Sequence, residues 1–427
     1  MSSRAPFLAL VLCVPGALAE TPDGELVSVF IDPSFSMEPG VRTLESLTPA
    51  IYAWDEPASR ALAFDESRPG PKLAAVAGRA LRLALLDVPI ASFQGTLVHE
   101  VFGHGARARE FGQWPAYQLK VPVPWSFILG DGAPFSGRTE YARTGIANRD
   151  DPVHAGGIES SELSIAWTWR EGLTRGELSA FALVGLLRDE ADYLPRILFD
   201  GQRLGQGGTS SDPDSWFDGL SGRFNLWRAD DLRSLDRRIR VAYATKLLDP
   251  AVWVALKGVL WDFLVHGRRA VQLPRLSRPG GWWLPGVRVV PSPFGLEHQL
   301  RLDLGDQGWL VETTVRFSSS GLAQSVGLGI HAYQLPVGPG VRLGVEADAW
   351  VQPELLFDLR NVQDAPLRFG AASAVLLDVR LLERLWLSGK LGAKLPGFLM
   401  GQPLHGGPFG YLGLRVSLDR PRREFSP

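Results

Sequence analysis

The 427-residue sequence predicts an α+β protein, a mainly helical domain followed by an antiparallel β domain that forms an eight-stranded outer-membrane β-barrel. Three observations predict it. Apolar residues recur at helical spacing from about Lys72 to His266 and alternate from about Val287 to Leu418, so the period changes once along the chain. The alternating runs are about eight in number, and several approach the ten residues that cross a bilayer at a tilt. The chain also opens on an export signal.

That signal comes first in sequence. Arg4 supplies a positive start, Pro6 to Val14 an apolar stretch, and Ala17-Leu18-Ala19 a small-x-small cleavage site before Glu20. The apolar stretch is too short for a spanning helix. Cys13, the single cysteine, is preceded by the bulky Leu12, which does not suit lipidation. Cleavage after Ala19 removes residues 1–19 and every thiol, which excludes disulfides and cysteine metal sites. A formal charge of -2 offers nothing to nucleic acid. With 45% hydrophobic residues, 14 Trp and a mean hydropathy of +0.01, the composition points toward membrane contact.

Residues 20–266 read as the helical domain. Leu73 to Leu86 and Ile90 to Glu110 are two helices separated by Pro89, which cannot continue the ladder of the first. Trp114 to Gly137, with four prolines, reads as an extended edge or loop. A third helix is expected from Ile158 past Gly172 to Leu187. The Gly/Ser/Asp-rich stretch from Asp200 to Gly222 reads as a long loop, of a length that is usually either mobile or functional. Asp230 to Leu248 and Ala251 to Val265 return to helical spacing, the charges of residues 230–238 lying on a wet face. Residues 267–286, rich in Pro, Gly and Arg, read as a linker.

The β domain spans 287–418, followed by a charged tail, 419–427. In Val341 to Val351 the apolar Val341, Leu343, Val345, Ala347, Ala349 and Val351 alternate with Arg342, Gly344, Glu346, Asp348 and Trp350. For an exported chain this pattern fits lipid outside and a filled polar interior; a soluble periplasmic β-sandwich with a wet polar face is the alternative.

One segment carries chemistry. His99-Glu100-Val101-Phe102-Gly103-His104 offers two imidazole ligands with a carboxylate directly after the first, the combination that holds Zn2+ and takes a proton from attacking water. The usual spacing of such a pair is i and i+4; here it is i and i+5. At about 100° per residue an ideal helix turns the second ring about 140° away from the first. The pair therefore demands a widened turn, for which Gly103 is the natural place.

His99-Glu100-Val101-Phe102-Gly103-His104-Gly105 resembles the HExxGH motif of the dipeptidyl peptidase III family, zinc peptidases of the gluzincin type. The resemblance implies zinc on His99 and His104, Glu100 as catalytic base, and a third ligand from a downstream helical Glu. Glu159, 55 residues after His104, falls near that place, although Ile158 stands where the family has an acidic residue. Glu162 or His154 is the alternative ligand, or a group orienting a ligand or the reacting intermediate. Tyr141 and Arg143 are weaker candidates for stabilising an oxyanion. His266, His298, His331 and His405 lack partners at ligand spacing.

The expectation is a zinc-dependent peptidase of the bacterial cell envelope, acting on a peptide or protein substrate and held in the outer membrane by its β domain, with the periplasm as the other location. The competing expectation is a non-enzymatic outer-membrane barrel or assembly protein with a helical plug and a structural or vestigial metal site.

Overall fold

The computed structural model describes residues 24–48, 50–51, 72–128, 137–142, 144–199, 204–205, 211–306, 308–358 and 365–419. The expected export signal with Cys13, Arg143 and residues 420–427 of the expected tail lie outside the described residues. In chain order, β1 (Gly24–Ile31) leads to α1 (Met37–Glu45). A continuous helical run then comprises α2 (Lys72–Arg82), a π segment (Leu83–Asp87), α3 (Val88–Thr96), a second π segment (Leu97–His104) and α4 (Gly105–Glu110). β2 (Ala116–Leu119) and β3 (Gly137–Glu140) pair as a small ribbon with α5 (Trp125–Ile128) between them.

The long α6 (Ala147–Arg175) comes next, then β4 (Glu177–Ser179), α7 (Ala180–Phe199), α8 (Asp212–Arg223) and α9 (Ala229–Ala244). A 3-10 turn (Thr245–Leu248) joins α9 to α10 (Pro250–Lys257), which continues into a third π segment (Gly258–Phe263). The remaining strands are β5 (Ala270–Gln272), β6 (Leu276–Arg278), β7 (Gly281–Ser292), β8 (Gly295–Asp306), β9 (Trp309–Ser318), β10 (Val326–Gly338), β11 (Val341–Pro353), β12 (Leu367–Arg380), β13 (Leu385–Lys394) and β14 (Gly407–Asp419).

The protein is α+β, built around one antiparallel sheet of ten strands in the order β1-β14-β13-β12-β11-β10-β9-β8-β7-β6. Neighbours from β6 to β14 are consecutive in sequence. The tenth strand comes from the other end of the chain, with Val27 opposite Val416 and Ile31 opposite Leu412.

This topology revises the expected organisation in three places. The region 20–266 is not a separate helical unit, because its first strand completes the C-terminal sheet. The expected linker 267–286 contains β5, which pairs with β4, together with β6 and the first half of β7. The expected eight strands become ten, since β1 and β6 precede or flank the region of clear alternation.

Three helical expectations also change. Pro89 does not separate two helices: it stands at the second position of α3, directly after a π segment, where the ladder is already interrupted. α6 begins at Ala147 and carries Pro152 and Gly156-Gly157 within it. Half of the expected loop 200–222 is helix α8, whose Trp216, Phe217 and Leu220 are fully buried.

The sheet is inverted relative to an ordinary soluble sheet. Val29 and Ile31 on β1, Leu412 and Leu414 on β14, Val375 and Leu377 on β12, Leu328 and Ile330 on β10, and Leu300 and Leu302 on β8 are exposed. The alternate positions, among them Arg415, Lys390, Asp348, Arg316, Glu312 and Arg301, are buried. Helices α1 and α6 pack against this charged face. Lys390 lies 2.6 Å from both Glu38 of α1 and Glu346 of β11. Arg170 of α6 lies 3.6 Å from Glu312, and Asp249 before α10 lies 3.1 Å from Arg301.

A buried charge that loses its partner keeps its desolvation cost, and breaking such a pair costs about 3–5 kcal/mol. Lys390→Ala removes the buried cation that Glu38 and Glu346 share. The variant is expected to unfold at clearly lower temperature than wild type, read as the temperature at which folded gel mobility is lost.

Candidate metal centre

The second π segment, Leu97–His104, contains both histidines. Its i to i+5 hydrogen-bond ladder brings residues five apart onto one face, as the spacing of the pair demands. The Nε2 atoms of His99 and His104 stand 3.0 Å apart. The widening occupies the whole segment and is not confined to Gly103. Gly103 has a second role, close packing: a Cβ there would meet Ser160 Oγ at 2.5 Å and the Gly156 carbonyl oxygen at 2.6 Å.

α6 presses on the other side of the pair. A Cβ at Gly157 would stand 2.3 Å from His99 Cε1 and 2.6 Å from His104 Nε2. The two rings thus rest directly on the α6 backbone.

The third group is Asp212, the first residue of α8. Its Oδ2 lies 2.8 Å from His99 Nε2 and its Oδ1 3.2 Å from His104 Nε2. His99, His104 and Asp212 form the one group among the described residues whose ligand atoms could hold a metal ion, all within 4.8 Å of one another. Two imidazoles and a carboxylate are a donor set that suits a divalent transition metal.

The outer nitrogens are also fixed. His104 Nδ1 donates to the Val153 carbonyl at 2.6 Å, which leaves Nε2 as the nitrogen that faces Asp212. His99 Nδ1 lies 2.9 Å from the Tyr193 hydroxyl. Partners of this kind set tautomer and ring orientation for metal binding.

Without a metal, protons occupy the same contacts. Burial works against a charged His104 ring, but the Asp212 carboxylate outweighs it and raises the pKa to about 9. Burial likewise opposes an ionised Asp212, and the two rings overcome it, holding its carboxyl well below the usual range.

Glu100 is buried and accepts a 2.6 Å hydrogen bond on Oε2 from the Thr139 hydroxyl of β3. A Cβ at Gly137 would stand 2.5 Å from Glu100 Cγ and 2.9 Å from Oε1. The β2–β3 ribbon therefore fits against Glu100 through a glycine and a hydroxyl.

Glu159, the expected third ligand, is committed elsewhere. Arg107 clasps it, Nε donating to Oε2 at 2.9 Å, and the Gly401 amide donates to its Oε1 at 2.7 Å. Arg107 also reaches the Gln402 carbonyl at 2.9 Å, so Glu159 and Arg107 together bind the turn between β13 and β14 to the ligand helix. Glu162 is paired with Lys246, which lies 2.8 Å from Glu190. His154, one turn before Gly157, packs its ring 6.2 Å from that of Tyr141 and is not in the cluster. Of the remaining histidines, His331 pairs with Asp348 at 2.8 Å and His298 with Thr245 at 2.6 Å.

Asp212 and Tyr193 went unrecognised in the sequence. A signal for Asp212 was present: Ser211-Asp212-Pro213-Asp214 is a helix start, with Pro near the first position, ahead of Trp216, Phe217 and Leu220 at helical spacing. Comparison with family models, curated proteins and solved structures gave no match.

Two substitutions test the packing of the centre. Gly157→Ala should abolish stoichiometric metal binding in protein that keeps its folded gel mobility, because the new methyl group displaces both rings. Tyr193→Phe should weaken metal affinity by about 10–100-fold. Metal content after equilibration with buffered Zn2+ measures both.

Proposed function

We propose that this chain is an exported, membrane-embedded, zinc-dependent peptidase of the bacterial cell envelope. The observation that carries the reading is the convergence of His99, His104 and Asp212 on one point, beside a buried carboxylate, in a helix widened to allow it. The resemblance to the dipeptidyl peptidase III motif then extends to the His99–His104 segment alone. The third ligand, an Asp 108 residues after His104, belongs to another plan.

Zn2+ held by His99, His104 and Asp212 would supply the Lewis acid that polarises a peptide carbonyl and makes water acidic enough to attack it. The protein's own groups do the rest. Thr139 occupies Oε2 of Glu100 and so orients the carboxylate, leaving Oε1 to take a proton from the attacking water and return it to the leaving amine. Val153 and Tyr193 keep the two rings facing Asp212. The neighbouring ribbon makes a boundary along which a peptide could lie.

The inverted sheet supports the location. Exposed Leu, Ile and Val over buried, paired charges are the expected pattern of an outer-membrane barrel, with lipid outside and a plugged polar interior. α1 and α6 are the plug.

The test is zinc content and cleavage of a peptide library by the purified full chain. Wild type should bind one Zn2+, and Asp212→Ala should lose it while Glu159→Gln retains it. Glu100→Ala should keep zinc and lose about 10²–10⁴-fold in rate. Cleavage undiminished in Glu100→Ala would overturn the mechanism. Zinc without any Glu100-dependent cleavage would favour a non-enzymatic barrel with a helical plug and a structural metal.

A further inference from the structure

The sheet is not the only part of the molecule with an apolar exterior. The helical run that carries the metal ligands exposes Leu81, Leu85, Leu86 and Phe93 on α2, the first π segment and α3. The second such face lies on α10 and the π segment after it, where Trp253, Leu260 and Trp261 are each about half exposed. A solvated helix places its polar residues at such positions. Contiguous exposed apolar area on this scale marks contact with a partner or a membrane.

The two faces adjoin. Arg79 of α2 donates from Nε to the Leu264 carbonyl at 2.9 Å and from Nη2 to the Val265 carbonyl at 2.9 Å, tying α2 to the C-terminal end of the second face. Packing then links both to β1 at one end of the sheet order and to β7, next to the other end. The 3-10 turn before α10 packs on β7, and α10 and α3 both pack on α7. Gln94 of α3 bonds the Leu44 carbonyl of α1 at 2.9 Å, and α1 packs on β1. A path of direct contacts thus runs from β7 through helices to β1.

No helix among the described residues is long and apolar enough to cross a membrane by itself. The strands, by contrast, already expose an apolar face. We propose that α2, α3, α10 and the π segments at 83–87 and 258–263 form a helical part of the lipid-facing wall, covered by acyl chains as the outer faces of the strands are. The occupant is lipid because the helices that bear these faces are packed into the path between β7 and β1 of a sheet whose own exposed face is apolar, and because Trp253 and Trp261 bring the amphipathic rings favoured at membrane interfaces. The proposal rests on the reading of the sheet as a membrane wall. It adds that the helical run leading into His99 and His104 itself touches the bilayer.

The experiment places single cysteines, in a Cys13→Ser background, at Leu86 and Leu260 on the helices, at Val375 on the outer face of β12, and at the exposed Arg233 of α9. Each is labelled with an environment-sensitive fluorophore, and the folded protein is reconstituted into vesicles containing doxyl-labelled phospholipid. The expected result is a loss of fluorescence at Leu86 and Leu260 matching that at Val375, with none at Arg233. Quenching at Val375 but not at the helical sites would overturn the proposal while leaving the barrel reading intact, and would assign the helical faces to a protein partner. An absence of quenching at Val375 as well would overturn both.

Discussion

The structure depends on neutralising the charged inner face of the ten-stranded sheet. Arg301, Glu312, Arg316, Asp348, Lys390 and Arg415 are all buried there, and isolated charges in such a place are prohibitively costly. Part of the neutralisation is internal, as between Arg415 and Asp378 at 2.9 Å. The rest comes from helices: Glu38 of α1 serves Lys390, Arg170 of α6 serves Glu312, and Asp249 serves Arg301. These pairs hold α6 at a fixed position inside the fold. The histidine pair is in turn fixed against α6, through the Gly103, Gly156 and Gly157 contacts, so the sheet's charge pattern positions the candidate site indirectly.

Much of this was legible in the sequence because it is periodic. The alternation of Val341 to Val351 identified the strand and which of its faces is apolar, and the i, i+5 pair identified a widened helix. What escaped were features set by distant pairing. β1 is eight residues near the start of the chain, and only its partner β14 makes it part of the sheet. The segment 267–286 has the composition of a linker, yet its short strands take their order from β4 and β7.

The site shows the same division. His99, Glu100 and His104 announce themselves because two imidazoles and a carboxylate fall within six consecutive residues. The third member of the cluster does not, since a lone Asp more than a hundred residues away is one acidic residue among 46 Asp and Glu. Glu159 had the right spacing for the motif it resembled, but Arg107, one turn after His104 on the same helical run, reaches it first. A guanidinium against a carboxylate satisfies both charges in a buried place, and Glu159 thereby anchors the β13–β14 turn.

The π segment at 97–104 also sets the orientation of α4. One additional residue in a turn rotates everything downstream by about 100° relative to a regular helix. Loss of the single codon for Phe102 would leave His-Glu-Val-Gly-His, a pair at the four-residue spacing that an ordinary helix accepts. Because the widened segment already absorbs the extra residue, the same deletion would leave Arg107 in phase with Glu159 and the turn it secures in place. In this helix the π segment lets a sequence one residue too long keep the angular relation between the histidine pair above and the buried arginine below.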